Sequence, residues 1–328
     1  MAKVRWTSLW PAAAPLTEAN LPDQDGKVFI VTGASGGLGK ELASILYQRN
    51  AKVYLAARAV EKTAAVMDEI RAAHPQSKGT LVFLRLQLDD LSTIKASADE
   101  FLSKESRLDV LWNNAGVMVP PSGSKTVQGY ELQYGTNCLG TFLFTLCLRD
   151  ILIATAKTSP KNSVRVIWVS SSAADGAPSP PIDYSNMDYK RDEISWIKYC
   201  RSKAGNALHA AEFARRTEGS GVISFALNPG NYMTDLQRSN SWPVRLVMRL
   251  FTWPPINGAY TELFAGLDTS IDEKTTWGMS SPPLPCAPPL NHPVVPFGKI
   301  EDAREDLMDP KAGEEFWQWS EEQVKPYV

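Results

Sequence analysis

The stretch from Lys27 to Lys40, KVFIVTGASGGLGK, decides the fold. Its first six residues form a short β-rich run, and the residues that follow place Leu42, Ile45 and Leu46 on one helical face. A strand that turns into a helix over so few residues needs positive φ angles, and helical N–H groups that face a diphosphate need room. Glycine meets both demands. The loop is therefore a candidate dinucleotide site, and the alternative is a glycine-rich turn that binds nothing.

A cofactor in this loop would have its pyrophosphate over the N-terminus of the helix that begins near Gly37. The candidate contacts in the loop are Gly33, Ser35, Gly37, Leu38 and Gly39. Arg58 ends the next predicted strand, where a guanidinium suits the 2′-phosphate of NADP(H). The alternative is that Arg58 merely starts a solvated helix. Asp89 and Asp90 fall near the expected adenine, although acidic residues at a helix start are also ordinary caps.

Composition limits the classes of function. With 328 residues, 44% hydrophobic and 21% charged, the chain can form one large α/β domain with additions. A net charge of -2 gives no basic surface for nucleic acid. We expect no membrane span, because no run of about 18 apolar residues is evident. Four cysteines without metal-ligand spacing favour a reduced, cytoplasmic protein and no metal site: Cys138, Cys147, Cys200 and Cys286.

Beyond the loop, β-rich runs alternate with helical patterns as far as Leu227. This alternation predicts a doubly wound parallel sheet, the Rossmann fold, in a single domain with a helical substrate lid. The predicted strands are Lys27–Thr32, Lys52–Ala57, Thr80–Leu86, Arg107–Asn113, Val164–Val169 and Gly221–Leu227.

Polar residues interrupt this pattern where strands end and inside one helix. Asn113 and Asn114 follow the fourth strand, where two amides can bridge the backbones of neighbouring strands. Asn137 lies in a long helical pattern, Val127–Ala156, among apolar neighbours. It either caps or kinks its helix, or it holds a water molecule needed elsewhere.

The fifth and sixth strands end in further polar motifs. Ser170, Ser171 and Ser172 follow the fifth strand, where hydroxyl groups point into the ligand crevice of a parallel sheet. Tyr199 and Lys203 lie four residues apart on the next helix and so share one face. The sixth strand is followed by Pro229, Gly230 and Thr234.

Together and in this order, the motifs resemble those of the short-chain dehydrogenase/reductase family over about residues 27–235. Within the family, the chain looks most like the fungal retinol-dehydrogenase and WW-domain-oxidoreductase-like branch. The resemblance makes Tyr199 the acid/base, Lys203 its electrostatic partner and ribose ligand, Ser171 the group that polarises the substrate oxygen, and Asn137 the holder of a relay water. It also implies cofactor contacts from Asn114, Pro229 and Gly230, and a carboxamide contact from Thr234.

The assigned roles are physically reasonable in scale. A phenol with a pKa near 10 must fall by roughly 3 units to work near neutrality, which needs about 4 kcal/mol. An ammonium about 4 Å away at an effective dielectric near 20 supplies roughly that much. Two features depart from the family pattern. Gln87 stands where relatives carry an aspartate toward the adenine, and Ser170 or Ser172 could replace Ser171.

The chain outside the core is predicted to serve the same domain. Residues 1–26 form an N-terminal arm, 27–235 the catalytic core, and 236–328 a substrate lid, a proline-rich insert and a C-terminal helix. The lid segment Leu236–Asn257 is rich in aromatic and aliphatic residues, which predicts an apolar ligand. Its alternative is a helix on a membrane surface. The proline-rich stretch from Trp277 to Pro296 predicts no regular structure before the run that starts at Val294.

The resemblance implies an NADP(H)-dependent oxidoreductase that moves hydride between nicotinamide and a ketone or secondary alcohol of a lipophilic molecule, such as a ketoreductase of secondary metabolism. Two alternatives use the same scaffold: a non-redox isomerase or cyclase, and a protein that senses dinucleotides without turnover. Tyr199, Lys203 and Ser171 are all present, which favours the enzyme. No nucleic-acid partner is expected, and a homodimer is left open.

Overall fold

Among the described residues, eight strands form one sheet at the centre of the protein, in the order β3-β2-β1-β4-β5-β6-β7-β8. The computed structural model describes residues 13–230, 232, 253–272, 294–295, 299–300 and 304–328. Strands β1 to β7 are parallel, and β8 pairs antiparallel with β7. The strands are β1 (Val28–Thr32), β2 (Lys52–Ala57), β3 (Thr80–Arg85), β4 (Val110–Asn113), β5 (Val164–Val169), β6 (Val222–Leu227), β7 (Val294–Val295) and β8 (Lys299–Ile300).

Helices cover both faces of the sheet. They are α1 (Gly37–Gln48), α2 (Val60–Ala73), α3 (Leu91–Leu102), α4 (Leu132–Ala156), α5 (Ser195–Arg216), α6 (Pro255–Leu267) and α7 (Pro310–Val324). Residues of α1, α2 and α6 form the core on one face, and residues of α3, α4, α5 and α7 form the core on the other.

The strands are apolar on both sides because each side meets a helical layer. In β1, Phe29 and Val31 belong to the first core, and Val28 and Ile30 belong to the second. All five residues of β1 are buried. This arrangement confirms the predicted doubly wound sheet in a single domain.

The C-terminal helix α7 packs against α5. Phe316 and Trp317 of α7 are fully buried, and His209 of α5 stacks between Phe142 and Phe316 with ring centroids 4.6 and 4.4 Å away. At the other end of the chain, Leu16 and Leu21 join the first core.

Helix α4 differs from its prediction in two ways. It begins at Leu132 instead of Val127, because Lys125 and Glu131 form an isolated β-bridge and the Glu131 side chain caps the helix. By length and composition it could also span a bilayer, which the count of apolar residues did not predict. In the most apolar 18-residue stretch of this helix, 67% is buried inside the protein, as expected of a helix in the core of a folded domain.

Several predictions concern segments outside the described residues. They include Thr234, Cys286, the lid up to Thr252 and nearly all of the proline-rich stretch. Near that stretch, the structure adds one strand that the sequence analysis did not predict. This is β8, whose Lys299 pairs with Val295.

Candidate active site

The loop between β1 and α1 has the backbone that its glycines predicted. Gly33 has a φ of +72° and Gly37 a φ of +56°, both in the region that favours glycine. A β-carbon on Gly33 would lie 2.9 Å from the Cα of Ala115, a distance that real side chains essentially never show. Helix α1 begins at Gly37. The loop therefore presents the N-terminus of a twelve-residue helix to the carboxyl edge of the sheet.

Two other loop residues make packing contacts. A β-carbon on Gly39 would lie 2.6 Å from the side-chain nitrogen of Asn114, and the Leu38 side chain lies against Gly258 of α6. Both contacts are made with neighbouring protein, and the cofactor contacts of Leu38 and Gly39 stay predictions. Ser35 lies in the turn itself.

Asn114 ties the end of β4 to the end of β1. Its Nδ2 donates to the carbonyl of Thr32 at 2.7 Å, and the hydroxyl of Thr32 accepts from the Ala115 N–H at 2.9 Å. Asn113 instead donates to the hydroxyl of Thr145 at 2.8 Å. Of the two amides expected to bridge strand backbones, Asn114 does so, whereas Asn113 binds a side chain of α4.

The structure separates the three serines after β5. Ser170 is buried, and its hydroxyl donates to the carbonyl of Lys203 at 2.7 Å. Ser172 is exposed. The side chain of Ser171 lowers the pKa of Tyr199, and its hydroxyl accepts from the Ala173 N–H at 3.2 Å. Ser171 is therefore the serine that can act together with Tyr199.

Tyr199 and Lys203 lie together on α5, both buried. The Nζ of Lys203 is 5.8 Å from the centre of the Tyr199 ring and donates to the carbonyl of Val169 at 2.8 Å. Burial raises the pKa of Tyr199 to about 12, against a smaller lowering by Ser171. Burial also lowers the pKa of Lys203 to about 8.

The expected lowering of the Tyr199 pKa by Lys203 is therefore not seen in the protein alone. That lowering requires an ammonium about 4 Å from the phenol oxygen. In the structure, the ammonium is directed to Val169 and desolvation dominates at both groups. Tyr199 is accordingly protonated at neutral pH, which suits a proton donor.

Asn137 is fully buried within a π-helical segment of α4, Gly135–Gly140. Its Oδ1 accepts from the Val117 N–H at 2.8 Å, and its Nδ2 donates to the Val117 carbonyl and to Ser202, both at 3.0 Å. Such π-bulges recur at functional sites. The side chain holds the segment after β4 against α5, and a water on Asn137 stays a prediction.

Gly116 leaves room beside these groups. A β-carbon there would lie 3.1 Å from the Oδ1 of Asn137 and 3.4 Å from the Nζ of Lys203. Three features lie side by side at the ends of β1, β4 and β5: the glycine loop, the space beside Gly116 and the ammonium of Lys203. These residues fit a nicotinamide dinucleotide, because a flat ring and a ribose need both room and donors there.

Arg58 has a partner that the sequence analysis did not give it. Its Nη1 lies 2.9 Å from the Oδ2 of Asp89, and its side chain is 56% exposed. The other carboxyl oxygen of Asp89 is buried without a hydrogen-bond partner among the described residues. Asp89 and Arg58 thus lie together where the adenosine end is expected, and the contact of Gln87 or Asp89 with adenine stays open.

The segment after β6 closes the crevice. Gly230 has a φ of +110°, and the carbonyl of Pro229 accepts from Tyr232 at 2.6 Å and from Thr261 at 3.4 Å. Thr234 lies outside the described residues. In the part of the chain that is described, no group of three or more His, Cys, Asp or Glu side chains could hold a metal ion.

Two polar residues close to this site were not predicted from the sequence. Asn206 lies one turn after Lys203 and donates to the same Val169 carbonyl at 3.2 Å. Glu262 is a fully buried acid in α6 that interacts electrostatically with Lys203. The three-residue spacing of Asn206 from Lys203 and a carboxylate in the apolar run GAYTELFAGL were the available signals.

Comparisons with known proteins agree with this geometry. A family model described as short chain dehydrogenase matches residues 27–243. A short-chain dehydrogenase/reductase of Phomopsis amygdali is 49% identical over 99% of this chain and 98% of the relative. The short-chain dehydrogenase/reductase pkfC of Emericella nidulans is 52% identical over 95% of this chain and 97% of the relative.

A solved structure shows the same fold. The crystal structure of a putative uncharacterized protein from Mycobacterium Paratuberculosis is similar with a TM-score of 0.67 and 26% identity, covering 95% of this chain and 98% of that chain. The matching family model spans the glycine loop, Asn114, Ser171, Tyr199 and Lys203. With this coverage, and with relatives matched over nearly their whole length, the chain belongs to the short-chain dehydrogenase/reductase family of oxidoreductases.

Proposed function

We propose that the protein is an NADP(H)-dependent oxidoreductase that interconverts a ketone and a secondary alcohol of a lipophilic small molecule. The observation that carries the proposal is the grouping of three side chains, in which Ser171 acts on Tyr199 by lowering its pKa and the ammonium of Lys203 lies 5.8 Å from the centre of the Tyr199 ring. The nicotinamide cofactor, when bound, supplies or accepts the hydride.

Tyr199 would donate the proton that the reduced carbonyl oxygen takes up. Because burial keeps its pKa at about 12, the phenol is protonated at neutral pH and can donate to a carbonyl oxygen that becomes an alkoxide. The hydroxyl of Ser171 would contact both that oxygen and the phenol, and so orient the two groups. In the oxidation direction the same phenol must first lose its proton, so oxidation would need a higher pH than reduction.

Lys203 would serve the cofactor and the phenol together. An ammonium has three donors, and one of them is directed to Val169. The remaining donors suit the hydroxyls of the nicotinamide ribose. Its pKa of about 8 means that Lys203 begins to lose its charge just above neutral pH.

Arg58 supports the preference for NADP(H). A guanidinium pairs with a 2′-phosphate through charge-assisted hydrogen bonds, whereas an acid at this position would hold the two free hydroxyls of NAD. The ion pair with Asp89 holds Arg58 at the edge of the expected adenosine site. Phosphate binding would then have to compete with this carboxylate.

Exposed apolar side chains support a lipophilic substrate. The ring of Trp196 is 49% exposed and lies 5.6 Å from the ring of Tyr199. Ile194, two residues earlier, is 69% exposed. Large apolar side chains exposed next to a catalytic group are characteristic of a surface that binds an apolar ligand.

The test is to incubate the purified protein with NADPH or NADH and a panel of aliphatic, alicyclic and aromatic ketones, and to follow cofactor oxidation and the alcohol product. We expect turnover with apolar ketones and NADPH, and almost none with small polar ketones. Ser171→Ala is the matched variant and should lose most turnover while it still binds NADPH. Cofactor oxidation without an alcohol product, or equal rates with Ser171→Ala, would contradict the proposal.

A further inference from the structure

The loop that follows Ser171 has few hydrogen-bond donors of its own. It begins with a short 3₁₀ helix, Ser172–Gly176, for which Ser171 is the N-cap. The chain then runs through Pro178, Pro180 and Pro181, and prolines carry no backbone N–H. Because buried backbone carbonyls need hydrogen-bond partners, the carbonyls of this loop need donors from another part of the chain.

Arg304 supplies such donors from the C-terminal segment. Its Nη1 donates to the carbonyls of Asp175 at 3.0 Å and Ala177 at 2.6 Å, and lies 3.5 Å from the carbonyl of Ala174. Its Nη2 lies 3.4 Å from the carbonyl of Pro178. A guanidinium suits this arrangement because it is planar and carries five N–H donors in fixed directions. One side chain thus reaches four carbonyls of one loop.

The rest of the C-terminal segment holds Arg304 in place. Its Nε and Nη2 bind the carboxylate of Asp306, the latter at 2.8 Å. Leu307 is buried in one apolar cluster with Ala174 and Ala177 of the loop. The Arg304 side chain is 24% exposed. Both an ion pair and apolar packing therefore fix the guanidinium against the loop.

The same loop lies against the catalytic helix. Ala173 belongs to one apolar cluster with Tyr199. A β-carbon on Gly176 would lie 3.5 Å from the Sγ of Cys200, the residue that follows Tyr199 on α5. At the start of the loop, the Ser171 hydroxyl accepts from the Ala173 N–H at 3.2 Å. The position of the Ser171 hydroxyl therefore depends on how this loop is held against α5.

We propose that Arg304 is a positioning residue, which clamps the loop after Ser171 and so holds the Ser171 hydroxyl where the substrate oxygen takes up its proton. The proposal rests on the proposed function, which gives Ser171 its role. Arg304 acts through Ser171, because its own donors are directed to the loop carbonyls and to Asp306. The C-terminal segment thereby takes part in catalysis from outside the run of motifs in residues 27–235.

A double-mutant cycle tests the proposal. Arg304→Lys keeps the charge, but one ammonium cannot span four carbonyls. We expect kcat for ketone reduction to fall about 10- to 100-fold, because a small displacement of a catalytic group is costly, while the Kd for NADPH changes less than about twofold. In a Ser171→Ala background the same substitution should lower kcat less than about twofold, since the group that it positions is already gone. Equal falls in the two backgrounds would overturn the proposal.

Arg165→Lys is the matched control. Arg165 lies at the start of β5, at the opposite end of that strand from Ser171. Its guanidinium also binds three backbone carbonyls, those of Ala265, Asp268 and Ile271. The control should therefore lower the melting temperature and leave kcat unchanged. A fall in kcat equal to that of Arg304→Lys would show that lost stability explains both variants, and would overturn the proposal.

Hydrogen exchange tests the clamp without any turnover. The amides of Ala173, Ala174 and Ala177 are hydrogen-bonded within the loop. In Arg304→Lys their exchange should become about tenfold faster, because the loop opens more often, while exchange in β5 stays the same. Asp306→Asn, which removes the carboxylate that holds the guanidinium, should act in the same direction and replaces Arg304→Lys if that variant does not fold.

Unchanged exchange of the loop amides in both variants would overturn the inference. Faster exchange that is confined to the loop, together with the loss of kcat, supports it. If the wild type reduces no ketone, the proposed function fails, and the exchange rates then decide by themselves whether Arg304 clamps the loop.

Discussion

At the residue scale, the choice of cofactor depends on Arg58. Its guanidinium stands at the end of β2, 2.9 Å from Asp89. A charge-assisted hydrogen bond to a 2′-phosphate contributes about 1.5–3 kcal/mol, less where solvent screens it. We expect NADPH to bind at least tenfold more tightly than NADH, and Arg58→Ala to remove this difference by weakening NADPH alone. Fluorescence titration of both cofactors measures it.

Asp89→Asn is the matched variant at the same site. It removes the carboxylate that now holds Arg58 and preserves the shape of the side chain. NADPH should then bind more tightly, because the phosphate no longer competes for the guanidinium, while NADH changes little. Equal affinities for the two cofactors in the wild type, or equal losses in Arg58→Ala, would show that Arg58 does not choose the cofactor.

The buried carboxyl of Glu262 should make the unfolding free energy depend on pH. Its folded pKa of about 8 lies above the ordinary value of 4.5, so its contribution is fully present below about pH 4.5 and is lost as pH rises through 8. Glutamine does not titrate. Relative to Glu262→Gln, the wild type should therefore lose about 4 kcal/mol of unfolding free energy between about pH 5 and pH 9. Urea denaturation of both proteins across this range tests the sign, and a difference that is constant with pH would contradict it.

Some properties of single residues could be predicted from the sequence and others could not. Tyr199, Lys203 and Ser171 were identifiable because their spacing and position carry chemistry. The partners of Asn137 and the clash that requires glycine at Gly39 were not, because they come from segments distant in the chain. The raised pKa of Tyr199 was missed for the same reason, since desolvation depends on everything packed around the ring.

At the scale of elements, replacing each of two helix glycines by alanine should change stability in opposite directions. A β-carbon on Gly266 of α6 would lie 2.1 Å from the ring of Trp112, whereas one on Gly313 of α7 would make only ordinary contacts, at 3.5 Å or more. Gly266→Ala should cost about 1–3 kcal/mol through overpacking. Gly313→Ala should gain up to about 1 kcal/mol because alanine favours the helix. Thermal denaturation of the pair tests the packing of α6 on the sheet, and a harmless Gly266→Ala would contradict it.

Elements with strong periodicity were predictable almost to the residue. The strands Lys52–Ala57 and Val164–Val169 occur with the predicted bounds. The start of α4 was misplaced because helical propensity before Leu132 gives way to a tertiary bridge between Lys125 and Glu131. Strand β8 was missed because two residues carry no periodic signal.

At the scale of the whole molecule, one sheet with two covered faces implies one cooperative core. The proline-rich stretch that starts at Trp277 is predicted from its sequence to lack regular structure before Val294, and proteases prefer such segments. Limited proteolysis should therefore cut there first and leave a large resistant fragment. Early cleavage near Ala156, between α4 and β5, would contradict a single domain.

The same scale explains how the site is assembled. The site brings together residues that are far apart in sequence. Gly33, Asn114 and Ser171 follow β1, β4 and β5, which end at one edge of the sheet, and Lys203 lies at that edge on α5. Sequence order and parallel pairing were enough to predict this edge. The side-chain distances across it were not, because they depend on how α5 and α6 pack against the two faces.

The most direct test of the proposed chemistry is single-turnover ketone reduction by the wild type and Tyr199→Phe, with NADPH affinity measured on the same samples. Phenylalanine keeps the buried ring and removes the proton that Tyr199 donates. We expect the rate of hydride transfer to fall by about 10²–10⁴-fold while the Kd for NADPH changes less than about twofold. A Tyr199→Phe protein that reduces the ketone at nearly the wild-type rate would contradict the assignment of Tyr199 as the proton donor.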